Sequence, residues 1–235
     1  MVEKILTGIE GLDKLLQGGF PKGAIILLSG GAGTLKTIAA TQFLYNGAKL
    51  YKEPGIFVTV EESVKNIGWN IESFNWDIKG LEEKNMMKLY RLKLNPERDV
   101  KTQVDEELKT IGDLIKKIGA KRLVIDSTTA FGVWIKEPGE LRYLLYKFTN
   151  DLKELGCTTV LTAETKGGKT DFSAFGVEEF VADGVIAMYF SPPNRSIFVR
   201  IMRGTDHSKK IHPLELNANG IEVKSKDEVM WESIK

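Results

Sequence analysis

The sequence predicts an α/β fold with a mostly parallel central sheet, helices flanking the sheet, and an antiparallel extension at the C-terminal end. Short, continuous apolar runs of strand length alternate with helical patterns, which is typical of βαβ units. A glycine-rich turn follows the first of these runs. Beyond about Gly184 the pattern changes to short strands joined by a Pro-Pro-Asn turn, which indicates antiparallel pairing at one edge.

The apolar runs give the predicted strands of the parallel part, which are 24–28, 56–60, 86–92, 122–125 and 158–163. Amphipathic helices are predicted between them. Ser63 is expected to cap a helix whose apolar face carries Val64, Ile67, Ile71 and Phe74. A longer helix over about 104–118 is expected to end at Gly119, and another, over about 141–155, is expected to end near Gly156.

The composition is that of an ordinary globular protein. The chain has 235 residues, of which 42% are hydrophobic and 28% are charged. A chain of this kind buries a sizeable core without disulfides or metal ions, and we expect a single domain over residues 1–235. The net charge of +1 provides no global attraction to nucleic acid or to an anionic membrane, so any such contact must be a local patch.

Nothing in the sequence predicts a membrane or export segment. The longest unbroken apolar run covers the six residues 185–190, well short of the roughly 20 residues that span a bilayer as a helix. The first residues contain no apolar stretch followed by a cleavage site. We therefore expect a cytoplasmic protein.

The glycine-rich turn nearly matches the phosphate-loop pattern G-x-x-x-x-G-K-[ST]. Its residues are Gly30, Gly31, Ala32, Gly33, Thr34, Leu35, Lys36 and Thr37. In this pattern backbone N–H groups surround phosphates at a helix N-terminus, while the lysine reaches the phosphates and the hydroxyl binds Mg²⁺. The alternative is a glycine-rich turn with an exposed lysine. Leu35 replaces the last glycine, and we hypothesise that its branched side chain weakens nucleotide binding.

Acidic residues stand at the predicted ends of three further strands. Asp126 has the position of a Walker B carboxylate that holds Mg²⁺, or alternatively caps the next turn. Glu61 and Glu62 are candidates for a general base, or alternatively interact with a helix dipole. Glu164 is a candidate sensor of the γ-phosphate, or alternatively a solvated loop residue.

A loop over 166–175 combines basic residues, glycines and aromatic residues. Lys166 and Lys169 could contact single-stranded DNA there, since charge and stacking are the means by which proteins bind it. The alternative is a mobile lid or a subunit contact, which the near-zero net charge favours.

Several segments form an ordered set along the chain. They are Thr7-Gly8-Ile9 to Gly23, Glu61-Glu62-Ser63, Ile125-Asp126-Ser127, 176–184 and Met202-Arg203-Gly204-Thr205 with His207. Together they resemble the single-domain KaiC-like and RadA-like ATPases of the RecA superfamily, including the archaeal-type RadA paralogs. The resemblance covers most of the chain except residues 80–120.

This resemblance implies a RecA-like P-loop fold that binds ATP or ADP with Mg²⁺ between subunits of a homo-oligomer, either a hexameric ring or a filament. It implies the phosphate-loop pair at Lys36 and Thr37, the metal carboxylate at Asp126, the catalytic acid at Glu61 or Glu62, and a finger in the neighbouring subunit's site at Arg203. Ile201 departs from the family, where many members have a lysine.

Two functions follow as expectations. The first is an ATP-binding protein with weak or degenerate Mg-ATPase activity. The second is a nucleotide-poor scaffold, or a recombination and repair accessory protein, that binds single-stranded DNA or a protein partner after losing the reaction because of Leu35 and Ile201.

Overall fold

The computed structural model describes residues 2–95, 97–166 and 168–234. These residues contain eleven strands. They are β1 (Lys4–Ile5), β2 (Phe20–Pro21), β3 (Ile25–Gly30), β4 (Gly55–Thr59), β5 (Met87–Arg91), β6 (Arg122–Asp126), β7 (Thr158–Glu164), β8 (Gly184–Ser191), β9 (Asn194–Met202), β10 (Ile211–Asn217) and β11 (Gly220–Val223).

The described residues also contain eight α-helices. They are α1 (Leu12–Leu15), α2 (Lys36–Tyr51), α3 (Val64–Ile71), α4 (Ile78–Glu83), α5 (Val100–Ile118), α6 (Phe131–Trp134), α7 (Pro138–Glu154) and α8 (Glu178–Val181). Short 3-10 helices cover Thr128–Ala130 and Trp231–Ser233. Within the three described stretches, no helix is both long and apolar enough to cross a membrane.

Nine of these strands form one sheet in the order β11-β10-β9-β8-β3-β7-β6-β4-β5. All neighbours from β8 to β5 pair in parallel, and β8, β9, β10 and β11 pair antiparallel in succession. The predicted α/β fold with an antiparallel C-terminal extension is confirmed.

Strand β8 belongs to both the parallel and the antiparallel parts of the sheet. Strand β8 pairs in parallel with β3, and its first antiparallel partner is β9. The reason is that residues 184–189 of β8 are buried without interruption, as expected of a strand covered on both faces. The strands β8 and β9 are also long, with 8 and 9 residues.

Local signals determine several helix ends. The hydroxyl of Ser63 accepts a hydrogen bond from the backbone N–H of Asn66 at 3.1 Å, which caps α3 as predicted. Gly119 ends α5 in the left-handed region with φ 65°, where a residue without Cβ carries little strain. Val64 was predicted on the buried face of α3, but 37% of its surface is exposed.

Two apolar clusters cover the two faces of the sheet. One contains side chains of α5 and α7, and the other contains side chains of α1, α2, α3 and α4. Successive side chains of a strand point to opposite faces, so Ile25 and Leu27 belong to the first cluster while Ile26 and Leu28 belong to the second. Helix α2 therefore begins at the carboxyl end of β3 and lies over the second face.

Candidate functional site

The predicted phosphate loop lies between β3 and α2, at the edge of the sheet where the parallel strands end. The ammonium group of Lys36 donates hydrogen bonds to the carbonyl oxygens of Gly30 at 2.7 Å and Gly31 at 2.9 Å. The hydroxyl of Thr34 donates to the carbonyl of Gly31 at 2.9 Å. The loop is thus folded around the lysine head group, and backbone N–H groups at the start of α2 are at the same edge.

Leu35 has a backbone conformation that favours glycine. Its φ is 74° and its ψ is 24°, in the left-handed region, and it immediately precedes α2. An L-residue with a Cβ in this region carries strain of about 1–2 kcal/mol. The side chain packs against the apolar cluster under α2 and also contributes to the wall of the cavity beside Lys36. Leu35 in place of glycine therefore adds backbone strain and places a branched side chain on the cavity wall.

Asp126 lies in a row of polar side chains across three neighbouring strands. Register pairing places Thr59 of β4 beside Asp126 of β6, and Ile125 beside Leu161, so that Thr162 of β7 follows on the other side. Asp126 accepts hydrogen bonds from the hydroxyl of Thr162 at Oδ1 and from that of Thr37 at Oδ2, the latter at 2.8 Å. Both carboxylate oxygens are therefore held by threonine hydroxyls.

The acids at the ends of β4 and β7 face the same cavity. Glu62 accepts a hydrogen bond from the Asn70 side-chain amide at 3.3 Å, and its carbonyl accepts one from Thr59 Oγ1 at 3.0 Å. The carbonyl of Glu61 accepts from the Arg91 guanidinium at 3.2 Å. The backbone N–H of Glu164 donates to Thr129 Oγ1 at 2.8 Å. All three acids are exposed at their side chains.

Together these elements enclose a cavity of about 350 Å³. Its walls come from the phosphate loop, the first turn of α2, and the ends of β4, β6 and β7. The lining residues are Ala32, Gly33, Thr34, Leu35, Lys36, Thr37, Ile38, Glu61, Glu62, Asn70, Asp126, Ser127 and Glu164. Most of the residues predicted at the site are therefore brought together around a single cavity.

The cavity has an uneven electrostatic environment. Burial lowers the pKa of the Lys36 ammonium group, against the opposing effect of the negative charges of Glu164 and Asp126. The Glu62 side chain is exposed but loses part of its hydration in the cavity; this partial desolvation raises its pKa, and the negative charges of Asp126 and Glu61 raise it further. Glu62 therefore accepts a proton more readily than an isolated glutamate. A cation or a positively charged group in this cavity would be attracted by four carboxylates.

Arg203, Lys166 and Lys169 lie outside this cavity. Arg203 follows β9, whose residue Met202 pairs with Gly184 at the start of β8, and β8 runs parallel to β3. Arg203 is thus at the opposite edge of the sheet from its own phosphate loop. Its side chain is 57% exposed and lies 3.9 Å from Asp183. It has no access to the phosphate loop of its own chain.

Lys166 and Lys169 belong to the loop after β7. Lys166 is exposed. The ammonium group of Lys169 donates to the carbonyl of Trp231 at 3.1 Å and lies 5.9 Å from the centre of the Trp231 ring. Lys169 therefore contacts the C-terminal segment.

Several residues at the site were not predicted from the sequence. Arg195 of β9 donates from Nε to the carbonyl of Gly33 at 2.8 Å, and its guanidinium stacks 4.2 Å from the centre of the Phe190 ring. Thr162 and Asn70 hold Asp126 and Glu62. The position of Thr162, two residues before Glu164 on a predicted strand, was a usable signal, because alternate residues share a face.

The oxygen atoms of the Thr37 hydroxyl and the Asp126 carboxylate are suitable ligands for a magnesium ion. Mg²⁺ prefers oxygen ligands and is commonly held by one or two protein groups together with substrate phosphates. The hydroxyl and the carboxylate are already in contact at 2.8 Å. No group of three or more histidine, cysteine or acidic side chains suited to a metal ion occurs among residues 2–95, 97–166 and 168–234. The site thus fits a cation whose remaining ligands come from elsewhere.

Comparisons with known proteins agree with this geometry. A family model described as the KaiC ATPase matches residues 5–228. A UPF0273 protein of Pyrococcus horikoshii is 35% identical, with 94% of each chain covered. The circadian clock oscillator protein KaiC of Parathermosynechococcus lividus is 37% identical over 94% of this chain, which spans only 42% of that protein.

A solved structure is also similar over nearly the whole chain. The crystal structure of a KaiC-like protein from the hyperthermophilic archaeon Pyrococcus horikoshii OT3 matches with a TM-score of 0.84 and 39% identity, covering 95% of this chain and 99% of the other. Identity at this level over this length shows common family membership as well as a common fold. This chain therefore belongs to the KaiC-like ATPases, P-loop proteins of the RecA superfamily.

Proposed function

We propose that this protein is a cytoplasmic, Mg²⁺-dependent ATP-binding protein that hydrolyses ATP slowly at interfaces between copies of the same chain. One observation carries the proposal: Lys36, Thr37 and Asp126 meet at the carboxyl edge of the parallel sheet, with the hydroxyl of Thr37 in contact with the carboxylate of Asp126 at 2.8 Å. In open α/β sheets this edge is where ligands bind. Family membership supports ATP as the ligand.

The phosphate loop supplies the contacts to the nucleotide. The residues 30–37 would hold the phosphates through backbone N–H groups, and Lys36 would exchange its hydrogen bonds to Gly30 and Gly31 for phosphate oxygens. Thr37 and Asp126 would hold Mg²⁺, which neutralises charge on the phosphates when bound. The partial burial of Lys36 strengthens its attraction to an anion, because the surrounding dielectric is lower than in water.

The acids of the cavity supply the proton transfer. Hydrolysis needs a base that takes a proton from the attacking water, and a carboxylate with a raised pKa is better suited to this than an ordinary one. Glu62, whose pKa is raised by partial desolvation and by its acidic neighbours, is the first candidate, with Glu61 beside it. The negative charge of Glu164 raises the pKa of Lys36, so Glu164 is near the lysine that would bind the terminal phosphate and would respond to that phosphate.

Arg203 would act on a nucleotide bound by a neighbouring subunit. Its position at the opposite edge of the sheet excludes its own phosphate loop, and its exposed side chain is available to a second copy. An arginine supplied in this way stabilises the charge that develops on the transferred phosphoryl group and can raise the rate by about 10³–10⁵. This role requires a closed ring or a filament of the chain, and a hexamer is the ring that we propose.

The test is phosphate release by the pure protein with Mg-ATP, compared with a Lys36→Ala variant. We expect slow release that the variant loses. Binding without release in both proteins would support an ATP-binding protein without hydrolysis. Mixing Lys36→Ala with Arg203→Ala subunits tests the interface, because a mixed oligomer contains some sites that have an intact lysine from one subunit and an intact arginine from the next.

A second candidate is a nucleotide-poor scaffold or a recombination accessory protein related to the RadA paralogs. The strained backbone of Leu35 and the replacement of a family lysine by Ile201 favour it. Absence of both binding and release would support the scaffold. If the scaffold binds single-stranded DNA, binding should weaken with salt, and Lys166→Glu with Lys169→Glu should remove it. Because Lys169 already contacts Trp231, DNA binding is the less favoured form of this second candidate.

A further inference from the structure

The row of side chains around Asp126 has an asymmetric set of contacts. Thr37 comes from the first turn of α2, close to where a nucleotide would bind, but Thr162 comes from the middle of the sheet. Thr162 is fully buried, with no exposed surface, and its hydroxyl points at Asp126 Oδ1. Thr162 does not line the cavity, so it would not contact a nucleotide bound there.

The backbone of Thr162 is also fixed in place. Its carbonyl accepts a hydrogen bond from the hydroxyl of Thr128 at 3.1 Å, and its strand lies between β3 and β6 in the centre of the sheet. The Thr162 hydroxyl is therefore a donor in a constant position. A hydrogen bond from such a donor to Oδ1 restricts rotation of the Asp126 carboxylate, whose Oδ2 lies beside the Thr37 hydroxyl.

We infer that Thr162 is a positioning residue for the magnesium carboxylate: its hydroxyl holds Asp126 in the orientation that presents Oδ2 beside Thr37. This inference rests on the proposed function, since it assigns a partner to the residue that would hold Mg²⁺. Groups that orient a metal-binding side chain typically change metal affinity by about 10–100-fold when they are removed. Thr162 touches neither nucleotide nor metal and acts only through Asp126.

A purely structural role has different consequences. If Thr162 only fills space in the sheet, then Thr162→Val, which has nearly the same shape, should change neither magnesium binding nor nucleotide binding. If the hydroxyl orients Asp126, Thr162→Val leaves Oδ1 without a donor and allows the carboxylate to rotate. Thr162→Ser retains the hydroxyl and should restore the orientation.

The chain provides a matched control on the same strand. Thr159 is also fully buried, but its hydroxyl donates to the carbonyl of Cys157 at 3.3 Å, far from Asp126. Thr159→Val removes a buried hydroxyl from β7 without affecting the carboxylate. Its effect on folding gives the cost of such a change by itself.

The experiment is a titration of a fluorescent ADP analogue with Mg²⁺, with a parallel titration in EDTA and a thermal melt of each protein without magnesium. We expect Thr162→Val to raise the Mg²⁺ concentration for half-maximal binding about 10-fold, while affinity in EDTA stays within twofold. Thr162→Ser and Thr159→Val should both stay within twofold of the unaltered protein in the magnesium titration.

Three results would overturn the inference. An unchanged magnesium titration for Thr162→Val, in a protein that binds Mg-nucleotide normally, refutes the role of Thr162 and leaves the proposed function intact. Equal losses in EDTA and in Mg²⁺, together with a lower melting temperature, show a structural role only. If the unaltered protein shows no magnesium-dependent nucleotide binding, the proposed function fails and the inference fails with it.

Discussion

Arg195 of β9 contacts the phosphate loop through a 2.8 Å hydrogen bond from its Nε to the carbonyl oxygen of Gly33. The same guanidinium stacks on Phe190, and the Phe190 ring lies against Gly33, where an added Cβ would approach it to 3.2 Å. A hairpin of β8 and β9 thus supports a loop that belongs to β3 and α2. The antiparallel extension therefore helps to shape the phosphate loop.

Arg195→Ala should loosen the loop. The lost hydrogen bond contributes about 1 kcal/mol, which corresponds to about a fivefold loss of affinity for Mg-ATP if the loop must be ordered to bind. Hydrogen exchange at the amides of 31–35 should become faster. Arg200→Ala is the matched control, because Arg200 lies on the same strand and stacks 3.8 Å from the centre of the Phe172 ring, away from the loop. Equal effects of the two variants would contradict a specific role.

Leu35→Gly should increase affinity for Mg-ATP severalfold, because it removes both the left-handed strain and the branched side chain on the cavity wall. Leu35→Ala separates these causes, since it keeps Cβ and the strain but removes the branched end. Stability should change by less than about 1 kcal/mol, because lost apolar packing opposes the relieved strain. Equal affinity of all three proteins, measured by calorimetry, would show that Leu35 does not affect binding.

Glu62→Gln should make the protein more stable at neutral pH. A carboxyl whose pKa is raised on folding stabilises the folded state only below its unfolded pKa, and this contribution is lost as the pH rises through the folded value. Ionised Glu62 is therefore unfavourable at pH 7.5, and the variant should melt about 1–2 °C higher there, with the gain shrinking toward pH 4.

Added salt should reduce this gain at pH 7.5, because part of it comes from repulsion by Asp126 and Glu61, which salt screens. Glu72→Gln, at the end of α3, changes an acid outside the cavity and serves as the control. A gain that is the same at pH 4 and pH 7.5 would show that the charge of Glu62 is not its cause.

Arg122→Met should destabilise the fold by about 3 kcal/mol in urea unfolding, because it leaves buried acceptors without donors. The fully buried Arg122 side chain donates to Glu53 at 2.7 Å, to the carbonyl of Phe43 at 2.9 Å and to that of Leu6 at 2.8 Å. Lys22→Met breaks an exposed ion pair with Glu3 and should leave the free energy of unfolding nearly unchanged, because solvent screens such a pair. Similar losses in both variants would be inconsistent with this role.

The parts of the site that the sequence predicts are those whose signals are local. The strand, the phosphate loop and the first turn of α2 are consecutive, and the acids Asp126 and Glu164 directly end apolar runs. Parallel strands bring such ends to one edge of the sheet, so spacing along each segment is enough to place them. The cavity follows from these segments once the strands are paired.

The remaining parts depend on pairing that no local pattern encodes. Arg195 and Gly33 are 162 positions apart, and their contact exists only because β8 lies beside β3. Residues 185–190 are continuously apolar, which is typical of a parallel strand, but the Pro-Pro-Asn turn after them indicated a hairpin. Both signals are valid, because β8 pairs in parallel on one side and antiparallel on the other.

Contacts among three residues hold the loop after β7: Tyr189 of β8, Trp231 of the C-terminal segment and Lys169 of the loop itself. The Tyr189 hydroxyl donates to the carbonyl of Lys169 at 3.1 Å, and its ring meets that of Trp231 edge to face at 6.5 Å. Burial raises the pKa of Tyr189 to about 12, so the hydroxyl remains a donor throughout the neutral range. Lys169 then donates to the carbonyl of Trp231.

Trp231→Ala should release this loop without unfolding the sheet. The ring contact and the cation–π contact together contribute about 1–2 kcal/mol, so exchange at the amides of 168–175 should speed up about 5- to 30-fold while the amides of β3 and β7 stay protected. Met230→Ala is the control, because its neighbouring side chain is 65% exposed. Unchanged exchange at 168–175 in Trp231→Ala would contradict a role for the ring contacts, and would mean that the hydrogen bonds of Tyr189 and Lys169 to backbone carbonyls, which persist in the variant, hold the loop.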